Sequence, residues 1–123
     1  MNNLKNWLKK RKYRYKGTEE FDIDIVEMEK KISQGAILID VRSPQEYNEG
    51  HINGAILIPS YEIKKRINNI ITDKNQPIIV YCSTGARSKK TQKELNKNGY
   101  TNVYNLRGEL EIWITIEIYK QIW

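Results

Sequence analysis

From residue 36 onward the chain is written as short, largely apolar runs separated by polar stretches. Four runs have strand length: residues 36–41 (AILIDV), 55–59 (AILIP), 77–82 (PIIVYC) and 101–106 (TNVYNL). Runs apolar at every position suit strands covered on both faces. Upstream, Phe21, Ile23 and Ile25 alternate as on a strand, and then Val26, Met28 and Ile32 shift to a helical period that stops at Gly35. Ser43 and Pro44 are a cap and a first-turn residue for a short helix. Residues 61–71 set Ile63, Ile67, Ile70 and Ile71 on one helical face. Residues 88–98 are polar around Leu95 and end at Asn98-Gly99, a helix stop. Strands alternating with helices predict an α/β fold: a central, mostly parallel sheet of four to five strands with helices on both faces.

The last fourteen residues, LEIWITIEIYKQIW, fit two periods. Ile112, Ile114, Ile116 and Ile118 alternate as in a strand, whereas Leu110, Trp113, Ile114, Ile118 and Ile122 share a helical face. A helix is the expectation, because a long isoleucine strand at a sheet edge invites aggregation.

Length and composition narrow the picture. A chain of 123 residues suits one domain of the usual size, about 100 to 150 residues. A hydrophobic fraction of 39% beside 29% charged residues excludes a disordered or membrane-spanning chain. With one cysteine, Cys82, and one histidine, His51, neither an internal disulfide framework nor a structural zinc site is expected. No metal or other cofactor is called for. The net charge of +6 is unevenly placed: residues 1–17 hold seven basic side chains and no acid, and the remaining 106 residues hold 14 basic and 15 acidic ones. The expected organisation is therefore a basic arm over 1–17 and a single, nearly neutral domain over 18–123, with no specific nucleic acid as partner. The arm lacks the apolar core and cleavage site of a secretory signal, so a cytoplasmic protein is expected. Leu4, Trp7, Leu8 and Arg11 fall at helical spacing, which suits peripheral contact with anionic lipid as well as it suits a solvated tail.

Chemistry concentrates after the third apolar run. Cys82-Ser83-Thr84-Gly85-Ala86-Arg87-Ser88 lies between the end of a strand and the start of a helix, where open α/β sheets bind ligands. Small loop residues with a glycine can turn their N–H groups inward as an anion nest, reinforced by the helix N-terminus. In such surroundings a cysteine pKa falls from about 8.5 into the range of about 3.5 to 7.5. Arg87 adds a two-pronged donor for an anionic substrate. Taken alone, Cys82 better suits a small buried residue closing a strand; that reading gives no reason for the next five residues, a loop that ends in Arg87.

These residues resemble the rhodanese homology family. The resemblance runs from about Ile23 to Trp113 through Ile39-Asp40-Val41-Arg42, Glu46, Gly50-His51-Ile52-Asn53-Gly54-Ala55, Val80-Tyr81-Cys82 with Gly85 and Arg87-Ser88, Gly99-Tyr100, and Leu106-Arg107-Gly108. It implies a rhodanese-like α/β fold and a sulfurtransferase in which Cys82 carries a sulfane sulfur as a persulfide. The donor would be a small sulfur anion such as thiosulfate, or a persulfide, and the acceptor cyanide, a thiol or a protein. Ser83, Thr84, Gly85, Ala86, Arg87 and Ser88 would bind substrate, with the Ser83 to Ser88 amides on the persulfide and Arg87 on the donor's oxyanion. Asp40, Arg42, Glu46 and His51 would be supports: Asp40 accepting from loop amides, Arg42 pairing with Glu46, and His51 positioning a turn rather than forming a Cys–His dyad. Tyr104 and Trp113 are expected to pack. The family's second glycine after the last strand is Glu109 here, which bears on donor preference.

Two other functions stand beside this one. The domain can serve as a sulfur carrier or binding module that hands sulfur to a protein partner, with the basic arm as its dock. A cysteine phosphatase is disfavoured, since related phosphatases place one more residue between cysteine and arginine and usually a histidine where this chain has Tyr81.

Overall fold

The computed structural model describes residues 21–107. The basic arm, the C-terminal segment with its expected helix, Glu109 and Trp113 lie outside the described residues.

Ten elements follow one another: β1 (Asp22–Ile23), α1 (Ile25–Ser33), β2 (Ile37–Asp40), α2 (Pro44–Glu49), β3 (Ile56–Leu57), a 3-10 turn (Ser60–Glu62) running into α3 (Ile63–Ile70), β4 (Ile78–Tyr81), α4 (Ala86–Lys97) and β5 (Val103–Leu106). The five strands form one sheet in the order β1-β5-β4-β2-β3. Every described pairing is parallel, with Ile37 opposite Ile78 and Asp40 opposite Tyr81 between β2 and β4. The expected α/β architecture is thus realised with five strands.

The alternation of side chains along β4 builds the two layers. Ile78, Val80 and Cys82 point into one core with Ile63 and Ile67 of α3 and Leu95 of α4, whereas Ile79 and Tyr81 join Met28 of α1 on the opposite face. All four β4 residues are buried, which is why the sequence there is apolar at every position. Cys82 therefore continues the row that faces α3 and α4.

The N-terminal elements depart from the sequence expectation. The Asp24 side chain accepts the Glu27 N–H at 2.9 Å and caps α1, so the chain turns helical at Ile25 instead of continuing the strand. On that helix Val26 and Met28 lie about 200° apart at 100° per residue, so they cannot share a buried face. Met28 is buried and Val26 is 59% exposed. Ile32 and Ile70, expected on buried faces, are each 38% exposed at the ends of their helices. The Asn98-Gly99 stop is as expected: Asn98 caps α4 and Gly99 takes a φ of +93°, a left-handed geometry open to glycine at little cost. Tyr104 packs half-buried, its ring centroid 5.5 Å from that of Phe21.

Candidate active site

The site forms at the C-terminal end of β4, the central strand, where the chain must leave the sheet and enter α4. Gly85 makes this turn with a φ of +97° immediately before Ala86. The turn folds the loop back over the cysteine. Cys82 Sγ accepts the N–H groups of Gly85 at 3.1 Å and Ser88 at 3.4 Å, and lies 3.3 Å from the Ser88 hydroxyl. The Ser88 hydroxyl is itself 3.2 Å from the Gly85 carbonyl oxygen.

Two effects compete at the sulfur. Cys82 is only 4% exposed, and burial pushes its thiol up. The Ser88 hydroxyl and the amides of Ser88, Gly85 and Thr84 favour the thiolate and outweigh burial, so the pKa falls below its ordinary value. A thiol lowered in the folded state stabilises the fold most above the ordinary thiol range, and that contribution fades as pH falls through the folded value. Ser88→Ala removes one of these donors, and the pH profile of thiol alkylation should move to higher pH, as read by the rate of iodoacetamide labelling.

The supports assemble differently from the sequence expectation. Arg42 does not pair with Glu46. It folds onto Asp40 two residues away, with Nη2 donating to Oδ2 at 2.8 Å and Nε to Oδ1 at 3.1 Å, in a pair 6% and 0% exposed. The reason is position: Asp40 ends β2 with its carboxylate fully buried and needs a cation within reach. Asp40 also accepts an amide, but that of Arg42 at 2.9 Å rather than one of the cysteine loop.

Glu46 instead takes Arg87, forty-one residues on. The guanidinium donates to Oε1 at 2.7 Å and to Oε2 at 2.9 Å, so the fork expected to receive a substrate anion is already filled. Glu46 is held from its own side as well. It is the third helical residue after the Ser43 cap and completes a capping box, accepting from the Ser43 amide at 3.2 Å and its hydroxyl at 3.1 Å, while the Ser83 hydroxyl donates to Oε2 at 3.3 Å. The Arg87 bonds hold the carboxyl down at about 2, against an ordinary 4.5. A carboxylate lowered on folding stabilises the fold fully above its unfolded value and loses that contribution as pH falls toward the folded one. The thermal midpoint should therefore decline between about pH 4.5 and pH 2, and more shallowly in Glu46→Gln.

His51 stacks on the Tyr47 ring at 3.6 Å and 7°, and its Nδ1–H donates to the Tyr47 carbonyl at 2.8 Å. Among the described residues none of its contacts is with Cys82, so the histidine holds a turn. Sequence reasoning missed Tyr81 as part of the frame. Its buried hydroxyl accepts the Ile52 amide at 3.1 Å, and Arg42 Nη2 donates to the Gly50 carbonyl at 2.6 Å, so β4 and the Asp40–Arg42 pair together fix the Gly50-His51-Ile52 turn. Burial and the nearby Asp40 carboxylate push the Tyr81 hydroxyl up, which keeps it a neutral donor and acceptor. Lys89, on the first turn of α4, pairs with Asp22 of β1 at 2.5 Å and ties that helix to the sheet edge. A groove of about 330 Å³ runs beside the loop, between Tyr61 and the α4 residues Arg87, Lys90 and Glu94.

A parallel α/β domain with a cysteine in an amide-lined loop after its central strand defines a class, and comparison with known proteins gives the family. Residues 24–115 match the model of the rhodanese-like domain. The uncharacterized protein YqhL of Bacillus subtilis is 47% identical over 78 residues, 63% of this chain and 60% of that protein. The chain thus spans less than two thirds of that relative. The thiosulfate sulfurtransferase PspE of Escherichia coli is 43% identical over 74 residues, 60% of this chain and 71% of that protein. A solved structure of rhodanese with anions from E. coli is 40% identical, with a TM-score of 0.58 over 63% of this chain and 89% of that one. The chain belongs to the rhodanese-like domain family.

Proposed function

We propose that this protein moves a sulfane sulfur from thiosulfate or a persulfide donor to a thiophilic acceptor, with Cys82 carrying the sulfur as a persulfide. The observation that carries the reading is the ring of donors around Cys82 Sγ, which lowers the thiol despite its burial. A thiolate is the form that attacks sulfur. The naming of PspE as a thiosulfate sulfurtransferase and the anions in the related E. coli structure favour the same chemistry.

In the forward half-reaction the Cys82 thiolate attacks the outer sulfur of the donor. A bond forms between the two sulfurs, the donor's own bond to that sulfur breaks, and the electron pair leaves on sulfite or a thiolate. The loop amides then hold the terminal persulfide anion at the positive end of α4. In the second half-reaction cyanide, a thiol or a protein thiolate removes that sulfur and restores the Cys82 thiolate. With one cysteine in the chain, the acceptor comes from outside. The same reading takes residues 18–123 as one domain in the cytoplasm and gives the arm of residues 1–17, with its seven basic side chains, to peripheral contact with anionic lipid. No helix among the described residues is long and apolar enough to cross a membrane.

Incubation with thiosulfate or an alkyl persulfide followed by intact-mass measurement tests the proposal. The wild-type chain should gain one sulfur atom and lose it again to cyanide. No gain with either donor would overturn the reading.

A further inference from the structure

Thiosulfate carries two negative charges and an organic persulfide one, and the charges bordering the loop distinguish them. Arg87 closes the loop, yet both of its terminal nitrogens donate to Glu46, and Nη2 donates to the Ser83 hydroxyl as well. Arg42, at the end of the neighbouring strand, is matched by Asp40, and Lys89 on the first turn of α4 by Asp22. Lys90 and Glu94 face the adjoining groove with opposite charges, so it brings no net charge either. Arg87, the cation that closes the loop, is thus offset by a carboxylate. Among the described residues in contact with Cys82 Sγ, what meets an incoming anion is the set of loop amides and the Ser88 hydroxyl, enough for one charge on sulfur and poor for a second charge on a sulfonate.

Glu46 is the residue that produces this neutrality at the loop itself. It is fastened by Ser43 and Ser83 as well as by Arg87, so freeing the arginine means breaking the capping box of α2 in addition to a bidentate ion pair. Its carboxyl titrates at about 2 and stays charged at any pH at which the enzyme would work.

We propose that Glu46 sets donor selectivity: it denies the Arg87 fork to a dianionic donor such as thiosulfate and leaves a loop matched in charge to a monoanionic organic persulfide. This rests on the sulfur-transfer reading above. With such a donor, the Cys82 thiolate bonds to the terminal sulfur, the bond between the donor's two sulfurs breaks, and the electron pair departs on the donor's inner sulfur as a thiolate. One negative charge remains on the Cys82 persulfide and one leaves, so the step needs no oxidant or reductant.

The experiment compares kcat/KM for thiosulfate and for an alkyl persulfide carrying no other charge, with cyanide as acceptor, in the full chain and its variants. Glu46→Gln keeps a residue that can complete a capping box while removing the carboxylate. The ratio of thiosulfate to persulfide kcat/KM should rise about tenfold, the scale of one charge-assisted contact of about 1.4 kcal/mol. That gain must vanish in Glu46→Gln/Arg87→Gln, where no fork is left to free. Arg87→Gln alone exposes an unmatched carboxylate and should lower the ratio below wild type. A ratio unchanged in Glu46→Gln, or a gain that survives loss of the arginine, overturns the selectivity proposal even if sulfur transfer itself is observed. Wild-type protein that gains no sulfur from either donor overturns the sulfur-transfer reading, and this proposal with it.

Discussion

Cys82→Ser is expected to abolish sulfur transfer, with no mass gain from either donor and a fall in turnover on the order of 10³-fold or more. The serine hydroxyl does not ionise near neutral pH, and no second cysteine exists to substitute for it. The fold should survive. A hydroxyl at this position faces the Gly85 and Ser88 amides and the Ser88 hydroxyl, so the new polar group finds partners where the sulfur had them. The cost is confined to a smaller atom in the core row Ile78, Val80 and Cys82, about 1 kcal/mol by the scale of modest core changes. A thermal midpoint close to wild type, alongside complete loss of labelling, is the result that assigns the chemistry to this atom. Residual labelling would place the sulfur elsewhere.

How much of this was legible in the sequence depends on the range of the interaction concerned. Apolar runs at strand length announced the layered fold because burial on both faces leaves a mark at every position of Ile78–Tyr81. The cysteine loop was equally visible, since a strand end, small residues, Gly85 and the start of α4 are contiguous in the chain. The placing of Val26 and Ile25 failed for a local reason: Asp24 is an N-cap as readily as a strand residue, and its bond to the Glu27 amide decides the phase of everything after it. The ion pairs were mispaired for a different reason. Nothing in periodicity says that Glu46 meets Arg87 forty-one residues away, while Arg42 turns back on Asp40. Half of the answer was nevertheless printed in Ser43-Pro44-Gln45-Glu46, the spacing of a capping box, which fixes the Glu46 carboxylate beside the start of α2. A carboxylate so placed is next to the loop that follows the adjacent strand, and hence to its arginine.

The buried Asp40–Arg42 pair should be the most costly feature of the frame to break. Asp40 is fully buried and Arg42 is 6% exposed, so Asp40→Asn leaves a guanidinium in the interior with no compensating charge. Removal of one partner from a buried pair costs about 3 to 5 kcal/mol, which in a domain of this size lowers the thermal midpoint by on the order of 10 °C. The consequence reaches the site through two bonds. Arg42 holds the Gly50 carbonyl, and its neighbour Val41 donates to the Tyr81 carbonyl immediately before Cys82 at 3.1 Å. Loosening β2 at this point should therefore slow sulfur transfer in the molecules that remain folded. The double replacement Asp40→Leu/Arg42→Met removes both charges together, and apolar residues of similar size in place of a buried pair are often neutral or stabilising. Thermal melts should show it recovering most of the lost stability while the Gly50-His51-Ile52 turn, deprived of the Arg42 bond, stays loose and transfer stays slow. If the double variant melts as low as Asp40→Asn, the loss comes from packing at Asp40 and not from an orphaned charge.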